Sequence, residues 1–146
     1  MTTSAAFFLA PDDLSAAGVH LGGPQGRFTS MTGRDFYGDD AVDEWGDYFV
    51  SLPPDQASWG SIRWIVPMTN DGSGTFAFPP RLTHALAGAG AAELTELAHR
   101  WSERLRREDG DDMTDDDLPA IVRAVAQLAT IAVAAGGSLY CRVLAP

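Results

Sequence analysis

The chain has 146 residues, 45% of them hydrophobic, with four Trp, seven Phe and three Tyr, which excludes a disordered polymer and suffices for one domain with a real core. Twenty acids against ten basic residues leave a net charge of −10, which argues against nucleic acid and anionic membrane as direct ligands. Every basic residue is Arg, so a Walker A loop, Schiff-base chemistry and a pyridoxal-phosphate anchor, each of which needs Lys, are absent.

In chain order, Ser4–Ala10 (SAAFFLA) predicts a short apolar strand. Pro11-Asp12-Asp13 then opens a brief helical turn that Gly18 ends. His20 to Gly38 reads as an irregular loop anchored by Phe28, Met31, Phe36 and Tyr37; its length suits function or mobility. Asp39–Val50 predicts an acidic helix with Asp39 or Asp40 as N-cap. Val42, Trp45 and Phe49 fall on its inner face and Asp39, Asp43 and Asp47 on another, although Gly46 weakens the helix. Pro53-Pro54 ends this segment. Ser61–Met68 predicts a second strand, and Thr75–Phe78 returns in a hairpin across the turn Asn70–Gly74. Arg81–Ala87 predicts a short helix stopped at Gly88.

Ala91–Arg107 predicts a long helix with Leu94, Leu97, Ala98, Trp101 and Leu105 inside. Glu96 with Arg100 and Glu103 with Arg107 are spaced for i,i+4 ion pairs outside. From Thr114, a good N-cap, a second long helix carries the stripe Leu118, Ile121, Val122, Val125, Leu128, Ala129 and Ala132. The two form a helical hairpin. Gly136-Gly137 occupies the place of a left-handed C-cap, and Ser138–Leu144 (SLYCRVL) reads as a final strand.

Few motifs carry chemistry. Gly88 to Glu93 (GAGAAE) lacks the third glycine and the preceding strand of a dinucleotide loop, and reads as a helix–helix connection. The acids around Gly72 and Gly110 miss the positions that an EF-hand requires, and Asp109–Asp117 reads as a solvated acidic turn. His20, His84 and His99 show no metal spacing with one another or with Cys141, so neither a metal nor a cofactor is expected. No serine lies in a nucleophile elbow. Cys141 reads as a buried inert thiol and, being alone, excludes an intrachain disulfide. The N-terminus lacks the basic region of a signal peptide. The stretch Leu118–Val133 comes nearest to a membrane span, but Arg123 and Gln127 interrupt it. The expectation is a cytoplasmic protein with residues 1–146 as a single domain.

Two constellations remain. Trp45, Trp59 and Trp64 line either a core or a ligand cleft. Asp39, Asp43 and Asp47 repel one another at i,i+4 spacing, with only Arg34 nearby, and residues 1–73 hold ten acids against three arginines. Such asymmetry suits a basic partner surface.

The C-terminal third, ELTELAHRW, an acidic break and LPAIVRAVAQLATIAVAAGGSLYCRV, resembles small uncharacterised actinobacterial proteins of the DUF1877-like and immunity-protein-like kind. Trp101, Leu128, Ala129, Gly137, Leu139 and Tyr140 carry the match. The residues that carry the resemblance are mostly structural, and it transfers no catalytic residue. The expected fold is α+β: a sheet of three or four strands, helices mainly on one face, and the helical hairpin followed by a final strand. The expected function is non-enzymatic binding, immunity-like, of a basic protein. The alternative is a small-molecule-binding or enzymatic domain with its cleft at Trp45, Trp59 and Trp64.

Overall fold

The computed structural model describes residues 4–18, 29–34, 38–49, 62–69, 72–109 and 117–144. Ten elements follow in order: β1 (Ser4–Ala10), α1 (Asp13–Ala17), β2 (Ser30–Arg34), α2 (Gly38–Phe49), β3 (Arg63–Val66), β4 (Ser73–Ala77), α3 (Pro80–Gly88), α4 (Ala91–Asp109), α5 (Asp117–Ala135) and β5 (Ser138–Leu144). The class is α+β, as expected. The sheet, however, has five strands in the order β2-β1-β5-β4-β3, and every pair is antiparallel. The additional strand is β2, inside the stretch read as an irregular loop. Its sequence, SMTGR, offers no apolar alternation. It becomes a strand because it pairs with β1, Phe7 opposite Met31 and Ala5 opposite Gly33.

The terminal strands are neighbours, with Phe7 opposite Cys141 and Ser4 opposite Leu144. Pairing on both sides makes β5 the centre of the sheet, and its residues from Leu139 to Cys141 are buried along with Val143. Side chains alternate between the two faces. Ala5, Phe7, Phe76, Leu139, Cys141 and Val143 share the main core with Val42 and Trp45 of α2, Leu82 and Leu86 of α3, Leu97 and Trp101 of α4, and Val122, Val125 and Ala129 of α5. Phe8, Ala10, Ala77 and Tyr140 point to the other face, where Ala16 of α1 joins them. The four longer helices thus lie on one face and the short α1 on the other.

Helix α5 packs on both α3 and α4. It closes on a Schellman cap: Gly136 has φ +71°, and the Gly136 and Gly137 N–H groups donate to the carbonyls of Val133 and Ala132. Both orphan carbonyls are thereby satisfied, and a positive φ suits Gly. The chain then enters β5 directly. At the other junction, the Glu93 carboxylate accepts from the Gly90 N–H at 3.2 Å, half of a capping box for α4. GAGAAE is therefore a link between helices. Leu118–Ala135, with mean hydropathy 1.8, is long and apolar enough by composition to cross a membrane, Arg123 and Gln127 notwithstanding; here 44% of it is buried in the fold.

Candidate functional site

Helix α2 starts at Gly38 because the chain there runs against the sheet. A Cβ at Gly38 would stand 2.7 Å from the Cys141 sulfur and 3.1 Å from Ala5 Cβ. From this anchor the helix turns Ala41, Val42 and Trp45 inward. Trp45 meets Trp101 edge to face, with ring centroids 5.2 Å apart, and lies 5.7 Å from Phe7. The inner face leaves the acids outside: Asp43 and Asp47 are exposed, and Asp39 is half-buried above Gly38. Desolvation first, and then the charges of Asp39, Asp40 and Asp47, hold the Asp43 carboxyl above the usual carboxylate range, while Arg104 pulls the other way.

Arg104 of α4 is the counter-charge that the fold supplies. Its guanidinium pairs with Glu44 and stands 3.9 Å from Asp47. Tyr48 extends the same surface. Its hydroxyl donates to Glu96 at 3.3 Å, and Arg100 lies 5.3 Å from its ring centre, in cation–π range. Desolvation and the Glu96 charge raise the phenol above its ordinary value. The two ion pairs expected along α4 are replaced by others. Glu96 turns to Tyr48, and Glu103 sits 3.1 Å from His99. The packing of α2 on α4 brings a phenol within reach of Glu96, and that overrides the in-helix choice.

The tryptophans do not converge among the described residues. Trp45 has no exposed surface. Trp64 is half-buried, 5.3 Å from Phe76 in an edge contact, and Trp59 lies outside the described residues. Neither of two surface hollows involves them. One, of about 330 Å³, lies between Leu9, Thr29 and the end of α5. The other, about 190 Å³, lies beside Thr83 and His84. They share Ala132, Gly137 and Ser138.

The remaining titratable groups are accounted for locally. Cys141 is wholly buried, and burial followed by the Asp39 charge pushes its thiol well up, so it stays a protonated, unreactive thiol. His84 and His99 are exposed, and His20 and Arg34's side chain lie outside what the structure describes. Among the described residues no group of three His, Cys, Asp or Glu stands close enough to hold a metal.

One cluster on the opposite face of the sheet has no counterpart in the sequence reading. Asp13 of α1 takes both guanidinium nitrogens of Arg63, Nη2 at 3.2 Å, and accepts from the Tyr140 hydroxyl at 2.9 Å. Tyr140 itself stacks on Phe8 with centroids 5.6 Å apart. Asp13, Arg63 and Tyr140 come from three elements far apart in sequence, so no local spacing signals them.

Comparison with protein-family models, with curated proteins and with solved structures finds no match.

Proposed function

We propose that the chain is a non-enzymatic binding module whose acidic α2 surface docks a basic protein partner, in the manner of an immunity protein. The observation that carries this reading is the gathering of Asp39, Asp40 and Asp47 around Asp43, whose carboxyl is raised by desolvation first and then by their charges. Like charges held close together cost stability, and Arg104 pulls the Asp43 carboxyl the other way. A partner bringing Arg or Lys to this face would relieve the repulsion on binding, adding affinity and speeding encounter. Tyr48, with an amphipathic ring beside the acids, provides an aromatic anchor of the kind enriched at interfaces. The resemblance of the C-terminal third to immunity-like proteins agrees with this reading, and the cytoplasm is the compartment proposed. The ligand-cleft alternative draws no support from Trp45 or Trp64, which pack inward.

The test is capture from native cell extract at low and high salt, comparing wild type with the triple variant Asp39→Asn, Asp43→Asn, Asp47→Asn. A basic protein retained by wild type at low salt, and lost both at high salt and with the folded triple variant, supports the reading. Equal retention by both proteins refutes it.

A further inference from the structure

We infer that the two hollows at the C-terminal end of α5 form one binding site for a small amphipathic amine, an ammonium group on a compact apolar body. The hollows, about 330 and 190 Å³, share Ala132, Gly137 and Ser138, so they meet over the turn from α5 into β5. The larger alone reaches the size at which small-molecule sites begin. Leu9, Ala10, Pro11, Ala132 and Ala135 give it an apolar wall, and no charged side chain lines it. The turn beneath is fixed. Gly136 holds φ +71°, and a Cβ at Gly137 would stand 3.3 Å from the Ala10 carbonyl. Ala10 and Ser138 lie opposite each other where β1 pairs with β5. The floor of the site is therefore set before a ligand arrives.

The polar groups around the junction are acceptors whose own hydrogens are already spent. Thr83, 5% exposed, lines the smaller hollow and donates its hydroxyl hydrogen to the Pro79 carbonyl at 3.3 Å. Its lone pairs are left to accept. Ser138 lines both hollows, and its side-chain hydrogen bond lowers the Tyr140 phenol. A bond that favours the phenolate is one in which Ser138 donates, so it too keeps lone pairs to offer. The last four carbonyls of a helix have no partner within it. Gly136 and Gly137 cap those of Val133 and Ala132, while those of Ala134 and Ala135 take no further bond among the described residues. They stand at the negative pole of the helix dipole, and the last turn of α5 has no basic residue to answer it.

This surplus of acceptors selects the ligand. A carboxylate would set lone pairs against lone pairs, and no arginine lines either hollow. A neutral alcohol brings one donor and no charge. An ammonium brings three donors and a positive charge, and the net charge of −10 favours its approach. The ammonium sits by Thr83, Ser138 and the end of α5, and its apolar body fills the larger hollow. No residue of α2 takes part, so the site is independent of the acidic face and of its partner.

Amide chemical-shift mapping with cyclohexylmethylamine, cyclohexylmethanol and cyclohexanecarboxylate tests the site, at a mildly alkaline pH where free imidazole is neutral and the amine is charged. The amine should move the amides of Leu9, Thr83, Ala135 and Ser138 saturably. The alcohol should bind at least about tenfold more weakly, and the carboxylate more weakly still. Thr83→Val should weaken the amine by about tenfold. The Pro79 carbonyl keeps the Thr83 N–H at 3.1 Å in that variant, so the fold is undisturbed. Ala135→Phe, at an exposed position, should fill the larger hollow and abolish binding with an unchanged far-UV spectrum. The triple Asn variant of α2 should bind the amine through the same amides. No saturable shift up to roughly 20 mM amine overturns the proposal, as does binding indifferent to both Thr83→Val and Ala135→Phe. Equal binding of the alcohol or the carboxylate overturns it as well. So does an amine that moves only the amides of α2 and is lost from the triple variant, since it would then be a counter-ion of the acidic face.

Discussion

The Tyr140 hydroxyl donates a 2.9 Å hydrogen bond to Asp13, 127 positions away in the chain. The bond ties the short helix α1 to the central strand. Burial first, and then this bond, push the Tyr140 phenol from 10.0 up to about 12. In the unfolded chain the phenol ionises near its ordinary value, so between about pH 10 and 12 the unfolded state holds fewer protons than the folded one. Stability should therefore fall as pH rises through that window. Tyr140→Phe should remove this component of the slope and cost about 1 kcal/mol at neutral pH. Denaturant unfolding at pH 7 and across the alkaline window measures both.

Asp13 should shape the acid limb with the opposite sign. The Arg63 hydrogen bonds first, and then Tyr140, hold its carboxyl below the ordinary 3.8. A depressed folded value stabilises the fold above the unfolded value, and the gain is lost as pH falls through the folded value. Both partners are substantially exposed, so the ion pair itself contributes at most about 1 kcal/mol. Asp13→Asn should leave the fold intact and flatten the loss of stability below about pH 4, as read from thermal midpoints between neutral and acid pH.

Trp101 is 2% exposed and meets Trp45 edge to face at the centre of the helical layer. Trp101→Ala should cost on the order of 3–5 kcal/mol. A denaturant midpoint equal to wild type at unchanged slope would contradict its place in the core.

Two glycines of one helix should respond in opposite directions. A methyl group at Gly38 would enter the space of the Cys141 sulfur, 2.7 Å away, so Gly38→Ala should destabilise by about 1–3 kcal/mol through overpacking. At Gly46 a Cβ would meet nothing within 4 Å. Gly46→Ala should stabilise by about 0.5–1 kcal/mol, because Ala is the better helix former. Paired thermal melts of the two variants check the sign of each.

Asp43 should be dispensable for folding. Its raised carboxyl marks an ionised form that the folded state disfavours, a penalty present at neutral pH and relieved as pH falls through the raised value. Asp43→Asn should leave stability unchanged or raise it by a few tenths of a kcal/mol. With a basic partner, the same change should slow association and lessen the salt dependence. Stopped-flow association at two ionic strengths separates these effects from a loss of fold.

What the sequence determined by itself is local. The apolar stripes at helical spacing specified α2, α4 and α5, because residues three and four apart share a helix face whatever lies around them. Gly136 and Gly137 marked the end of α5, since a left-handed cap suits glycine. The apolar runs SAAFFLA and SLYCRVL marked two strands. The acids of α2 were legible as one face once the helix was.

The tertiary structure alone decided what depends on which elements meet. Strand β2 has no apolar alternation of its own and exists through its pairing with β1, so no local pattern marks it. Glu96 was drawn to Tyr48, 48 positions away, instead of its in-helix arginine, and Arg104 became the counter-ion of Glu44, 60 positions away. Trp45 shares the apolar spacing of its helix with any cleft residue; only the approach of α4 placed Trp101 against it. The cluster of Asp13, Arg63 and Tyr140 is set by a five-residue helix settling on the far side of the sheet. Helix periodicity is a property of neighbouring residues, whereas these contacts form only once burial of the core has closed the intervening chain.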